Sequence, residues 1–239
     1  MIVEEKSDHF LIVHQRAHAL VSFELACGLL SSYCNTLKNW PQSLLAIGCH
    51  DDGFAYTSKS YYVQEGRPKC FREYGFEEDA SELILNNAKL RSSWIYALMV
   101  EHMNCLHHEN EKAEQFLKRH NNQRDLILRT ANLNQSDLED VYEVLNMCDT
   151  ISLSICFNLE KEIYYRNKHS LIDYSIQSRG GVIELKLLKG IFKFPFDIHL
   201  TYYCIPKRKY IDDDDLRTEF NDKNRKVTLI RCLESSYVS

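Results

Sequence analysis

The sequence predicts an α+β protein, mainly α: a helical bundle over residues 15–158 beside a small sheet formed by N-terminal and C-terminal strands. Three observations carry this reading. Met1–Val3 and Phe10–Val13 are short β-like pieces split by Lys6-Ser7-Asp8. From Gln15 to Asn158 apolar residues recur at spacings of three and four, the helical period. After Asn158 that period stops, and Val182–Leu188, Ile198–Ile205 and Lys226–Cys232 read as strands. An isolated two-stranded hairpin is marginal in water, so the first strands are expected to join the last ones. The 239 residues fit a single domain, 1–239, with 15–158 helical and 1–13 and 182–233 the accessory sheet.

Taken in order, the first helix runs from Gln15 to about Tyr33 with His18, Val21, Leu25 and Leu29 on its inner stripe. Asn39-Trp40-Pro41 starts the second, with proline tolerated in the first turn. It leads into the apolar run Leu44–Ile47 and then His50-Asp51-Asp52-Gly53, where glycine frees the backbone to turn away. Ala55 to Gly75 is irregular, aromatic and basic, a loop long enough to serve a function. Asp79-Ala80-Ser81 begins the next helical segment, Arg91-Ser92-Ser93 interrupts it, and a second piece runs from Trp94 to His107. His102 shares the inward face of that piece, while His107 and His108 fall at its polar end and are expected in solvent. Glu109 to Ala131 is a charged helix with Phe116, Leu117, Leu126 and Ile127 as its apolar contacts. Asn134 caps the last long helix, whose stripe runs Leu138, Val141, Leu145, Asp149, then Ser152 or Leu153, and Cys156. Gly180-Gly181 marks a turn, and Asp212–Asp215 is a helix start or a solvated run.

A net charge of −5 argues against nucleic acid as a partner. Nine cysteines, an odd number without a C-x-x-C pair, read as reduced thiols of a cytoplasmic protein. No stretch is long and apolar enough to span a bilayer, so no membrane partner is expected.

Three helical segments thus carry inward polar residues, His18, His102 and Asp149, and a fourth ends in His50-Asp51. A lone histidine on an apolar face is more often a satisfied core residue than a ligand. Buried carboxylates, however, need a partner, and lysine and arginine are scarce on these faces. Imidazoles with carboxylates suit a divalent transition metal: iron, manganese, zinc, cobalt or nickel. Lys59, Arg67 and Arg72, in the loop after the doublet, are candidates to bind a small anionic, phosphorylated substrate. Arg67 is the foremost of them. Asp52 is the candidate general base, or the group that orients a ligand histidine.

The order His…His-Asp…Asp resembles the HD superfamily of metal-dependent phosphohydrolases, which are all-helical. That resemblance implies an HD-like bundle with His18, His50, Asp51 and Asp149 as ligands and His102 as the extra histidine of two-metal members. A resemblance covering nearly the whole chain rests on Q-R-A-H-A from Gln15, H-D-D-G from His50, G-R-P from Gly66, E-H-M-N-C-L from Glu101, C-D-T-I-S-L from Cys148 and F-P-F from Phe194. These are similar to landmarks of a bacterial family, domain of unknown function 3891. Phe54 stands where that family leads one to expect tryptophan.

The expected function is a metal-dependent hydrolase of a phosphoester or nucleotide. Two alternatives stay open. One is an oxygenase holding two irons in the same ligands, as some HD relatives do. The other is a non-enzymatic binding protein with a satisfied polar core.

Overall fold

The computed structural model describes residues 1–53, 62–159, 164–168, 173–179, 182–187 and 191–234. Phe54, Lys59 and the Gly180-Gly181 turn lie outside the described residues. The expected class holds: a helical bundle lies against a sheet built from both ends of the chain.

Strands β1 (Ile2–Glu5) and β2 (His9–Val13) precede helix α1 (Gln15–Cys27). The period predicts one helix to Tyr33, but α1 stops at Cys27 and a separate short helix α2 (Ser31–Cys34) follows. Tertiary contact diverts the backbone there. The Gly28 carbonyl accepts from Lys193 N at 2.8 Å and Leu30 N donates to the Ile191 carbonyl at 2.8 Å, so residues 191–193 capture the chain as it leaves α1. Glycine also makes room here for the Phe196 ring, since a Cβ at Gly28 would lie 2.4 Å from Phe196 Cζ.

Helix α3 (Trp40–Cys49) follows Asn39, whose φ of +48° sets the entry angle, and carries Pro41 in its first turn. A two-residue hairpin, β3 (Val63–Gln64) and β4 (Arg67–Pro68), stands apart from the main sheet. The expected interruption separates α4 (Glu78–Arg91) from α5 (Ser93–His107) at Ser92. Ser92 is extended, and its Oγ accepts from Ile95 N at 3.1 Å, which caps α5. Every residue from Trp94 to Val100 is buried, so α5 is covered on all sides and forms the centre of the bundle.

Helices α6 (Glu114–Thr130) and α7 (Gln135–Cys156) complete the bundle. Leu126 does not serve as an apolar contact of α6; it is 56 % exposed, and Leu128 is buried instead. Asn134 occupies the cap position of α7, but its side chain makes no capping bond. The helix gains its stability from its stripe, where burying Leu138, Val141, Val144, Leu145 and Ile151 is worth about 1.5–3 kcal/mol per side chain.

Strands β5 (Tyr164–Lys168), β6 (Asp173–Arg179), β7 (Val182–Leu187), β8 (Phe196–Pro206) and β9 (Arg225–Glu234) join the first two in a seven-stranded sheet of order β1-β2-β8-β9-β7-β6-β5. All neighbours are antiparallel except β7 and β9. The first strands join the last as expected, with Phe10 opposite Ile205 and Ile12 opposite Tyr203. Strands β5 and β6 add to the three expected from the C-terminal sequence. Leu11 and Val13 face the bundle, in one continuous core with Leu98, Val144 and Ile198. Phe10 and Ile12 face the other way, onto Ile205, Tyr210 and Leu216. Leu216 belongs to the short helix α8 (Asp213–Arg217), which Asp212 starts by accepting from Asp215 N at 2.8 Å. Helix α1 lies between the two halves, against α3 and α7 on one side and β8 on the other.

All nine cysteines are free; Cys49, Cys148, Cys156 and Cys232 are buried, whereas Cys27 and Cys105 are exposed. No described helix is long and apolar enough to cross a membrane.

Candidate metal centre

Four helices of the bundle deliver the cluster. Helix α1 contributes His18 from its inner stripe, α3 ends on His50 with Asp51 just beyond, α5 contributes His102 and α7 contributes Asp149. His18, His50 and His102 are 1–2 % exposed and Asp51 is 8 % exposed, so water screens them little. The five groups converge. His18 Nε2 lies 2.8 Å from Asp149 Oδ1 and 3.6 Å from Asp51 Oδ2. His50 Nε2 lies 3.4 Å from Asp149 Oδ1, 3.6 Å from Asp51 Oδ2 and 3.3 Å from His18 Nε2. The His50 and His102 rings stand edge to face with centroids 5.3 Å apart.

The backs of the rings decide what their fronts present. His50 Nδ1 donates to the Ile47 carbonyl at 2.7 Å, which leaves Nε2 as the free lone pair. Ser152 Oγ donates to the His18 carbonyl at 2.9 Å and therefore accepts from His18 Nδ1 at 2.7 Å, so His18 also presents Nε2. Two lone pairs and two carboxylates then face one another, with no donor between them among the described residues. Gln15 Nε2 holds Asp51 Oδ2 at 2.9 Å from the side. Among the described residues neither Asp51 nor Asp149 has a lysine or arginine partner.

Such an array requires positive charge. In the metal-free protein a proton on an imidazole supplies it. Burial pushes the His50 imidazole down, but the Asp51 and Asp149 carboxylates outweigh it and hold its pKa up at about 9. Burial likewise pushes Asp149 up, and its bonds to His18 and His50 more than reverse this, leaving it well below the usual carboxylate range. His102 goes the other way, lowered to about 4 by burial and by neighbouring His50.

Opposite pH limbs follow for the metal-free protein. A pKa raised in the folded state gives stability that is full below the unfolded value near 6.5 and lost as pH rises toward about 9, as for His50. A lowered histidine pKa gives stability that is full above 6.5 and lost as pH falls toward about 4, as for His102. Thermal unfolding in chelator is expected to peak near pH 6.5, and His102→Phe should make only the acid limb shallower, since His14, also lowered to about 4 by burial, keeps part of it. A monotonic rise from pH 5 to 9 would contradict the His50 assignment, and a monotonic fall would contradict the His102 one.

A cavity of about 310 Å³ opens from the cluster. His18, Asp51, His102 and Asp149 form one end of it, and Phe71, Arg72, Tyr74 and Gly75 of the loop after the doublet form part of its wall together with Phe76. Arg72 lines the cavity. Arg67 is not among the described lining residues; its Nη1 donates to Glu73 Oε1 at 3.0 Å, and its hairpin is tied at Gly66 to Tyr210 N. Asp52 also turns away from the histidines, toward Arg91 at 3.2 Å and Arg16 at 3.5 Å. The orienting of ligand histidines falls instead to Ser152 and the Ile47 carbonyl. His107, expected in solvent, lines the cavity with its ring against Phe76 at 5.1 Å.

Two atoms at the cavity are buried without a partner among the described residues: His102 Nδ1 and Gln15 Oε1. Each unmet group costs about 1–3 kcal/mol, which a fully satisfied polar core would not carry. Gln15 and Ser152 were legible, since each stands three residues from a candidate ligand on its own helix, at the spacing that shares a face.

His18, His50 and Asp51 form one group able to hold a metal ion, and His50, His102 and Asp149 form another. Ligand atoms around an ion at about 2.0–2.2 Å sit roughly 3.0–3.6 Å from one another, and the cluster spans 2.8–3.6 Å. One divalent ion also balances two carboxylates. The donor set fits. No curated protein and no solved structure matches the chain. Residues 1–206, most of its length, match the family described as protein of unknown function (DUF3891), and the chain belongs to that family.

Proposed function

We propose that this protein is a metal-dependent hydrolase of a small phosphoester or nucleotide. The observation that carries the reading is the pair of Nε2 lone pairs 3.3 Å apart, faced by Asp51 and Asp149, with both Nδ1 atoms already committed. A divalent ion held by His18, His50, Asp51 and Asp149, with His102 at the edge, would polarise a phosphoryl oxygen and acidify a water. The chain's own groups do the rest. Gln15 fixes the Asp51 carboxylate, Ser152 and the Ile47 carbonyl fix the imidazoles, and Arg72 supplies a positive charge at the cavity wall. Asp52, held by Arg91 and Arg16, braces the doublet from outside.

Sharing of His50 between two ligand groups also favours a second reading, two irons activating dioxygen. Protein purified aerobically without chelator separates the two. The hydrolase reading expects about one or two equivalents of manganese, zinc, cobalt, nickel or iron by elemental analysis and metal-dependent release of phosphate from a phosphoester panel. Coloured protein that turns over only with dioxygen selects the oxygenase. Absence of any bound or bindable metal removes both.

A further inference from the structure

Beyond the His/Asp end, the walls of the cavity are largely carbon. Phe71, Phe76, Ile84, Met103 and Leu106 line it. Polar groups interrupt this surface, Tyr74, Ser81, His107 and Asn110 among them, and two others have bonding capacity left over. Gln15 is 7 % exposed; its amide nitrogen is spent on Asp51, and its Oε1 has no partner among the described residues. An acceptor buried beside a cluster of acceptors calls for a donor from outside the chain. Arg72 has its guanidinium carbon 3.8 Å from the Phe157 ring centroid and forms no ion pair among the described residues, so its donors stay available while the aromatic face holds its plane. A volume of about 310 Å³ is at the small end for an organic ligand and too small for a polymer segment.

We propose that the cavity takes a small amphipathic anion. Its anionic head points toward Arg72 and the His/Asp cluster. A hydroxyl or N–H next to the head donates to Gln15 Oε1, and an apolar ring or chain lies against Phe76, Met103 and Leu106. The head assignment rests on the hydrolase reading, whereas the donor and the apolar body are read from the cavity walls.

The test uses three phosphonates whose carbon–phosphorus bond resists hydrolysis: methylphosphonate, benzylphosphonate and α-hydroxybenzylphosphonate. Each is titrated calorimetrically into the full chain, as purified and after chelation. Benzylphosphonate is expected to bind about tenfold tighter than methylphosphonate, and the hydroxyl to add about tenfold more. Leu106 is 52 % exposed, so the uncharged Leu106→Asn should keep the fold and methylphosphonate affinity while erasing the benzyl advantage. Gln15→Leu should erase the hydroxyl advantage, and Arg72→Gln should weaken all three ligands about tenfold. Equal binding of methyl- and benzylphosphonate, a hydroxyl advantage that survives Gln15→Leu, or no binding at all would overturn the proposal. Ligands that rank as expected on a protein without metal or phosphatase activity would sustain it and sink the hydrolase. Phosphate release with no apolar preference would do the reverse.

Discussion

Asp51→Ala is expected to yield a folded protein that holds no metal. The carboxylate supplies half of the cluster's negative charge and lies 3.6 Å from both His18 and His50 Nε2. Losing an outer partner of a ligand typically costs 10–100-fold in metal affinity, so losing a ligand from this set should cost more than about 100-fold. Any phosphoester turnover should fall at least as far. The fold should survive, because the bundle rests on apolar burial along α5 and α7 that Asp51 does not touch. Elemental analysis beside a thermal melt checks both halves. Metal retained near one equivalent would exclude Asp51 as a ligand, and a collapsed melt would make it structural.

Gly53→Ala should be the most damaging small substitution near the site. The sequence suggests that Gly53 is there to turn the chain, yet Gly66 is the described glycine with positive φ. Gly53 is there for space. A Cβ would come within 2.3 Å of the Ala80 carbonyl oxygen and 2.4 Å of Ile84 Cγ1. The first of these is backbone of α4 and cannot swing aside. Replacing glycine within a helix gains at most about 1 kcal/mol, whereas overpacking against fixed atoms costs about 1–3 kcal/mol or more. The clash wins. A net loss near 2–3 kcal/mol corresponds to roughly 4–12 °C in Tm for a chain of this size. Because the doublet immediately precedes Gly53, metal affinity should fall with Tm. An unchanged melting temperature would show that α4 yields freely.

Much of the bundle is legible because long helices repeat their apolar stripe, and His18, His102 and Asp149 announce themselves as polar residues on that stripe. The end of α1 is not, since its cause is residues 191–193, far along the chain. Strand β5, Tyr164–Lys168, ends in arginine, asparagine and lysine and shows no clean alternation, so nothing local marks it. The basic loop offers several cations of equal standing by composition. Which of them serves the site depends on Glu73, which takes Arg67, and on Phe157, which stacks Arg72 beside the cavity. Asp52 looks chemical by adjacency alone; Arg91 and Arg16, from two other helices, decide otherwise.

The pairing of β2 with β8 fixes an order of events during synthesis. Ile12 meets Tyr203, about 190 residues later, which at ribosomal speed is a wait of roughly 10–40 s. A lone β1–β2 hairpin is marginal through that interval, with Phe10 and Ile12 lacking Ile205, Tyr210 and Leu216, which later bury them. Glu4, Glu5 and Lys6 flank this apolar strand with charge, which discourages its edge from pairing with another chain. Every candidate ligand lies at or before Asp149, so the His/Asp cluster can assemble from helical neighbours while the nascent sheet is still open. The centre is built early and the sheet last, which places the aggregation-prone interval of this chain in its first thirteen residues.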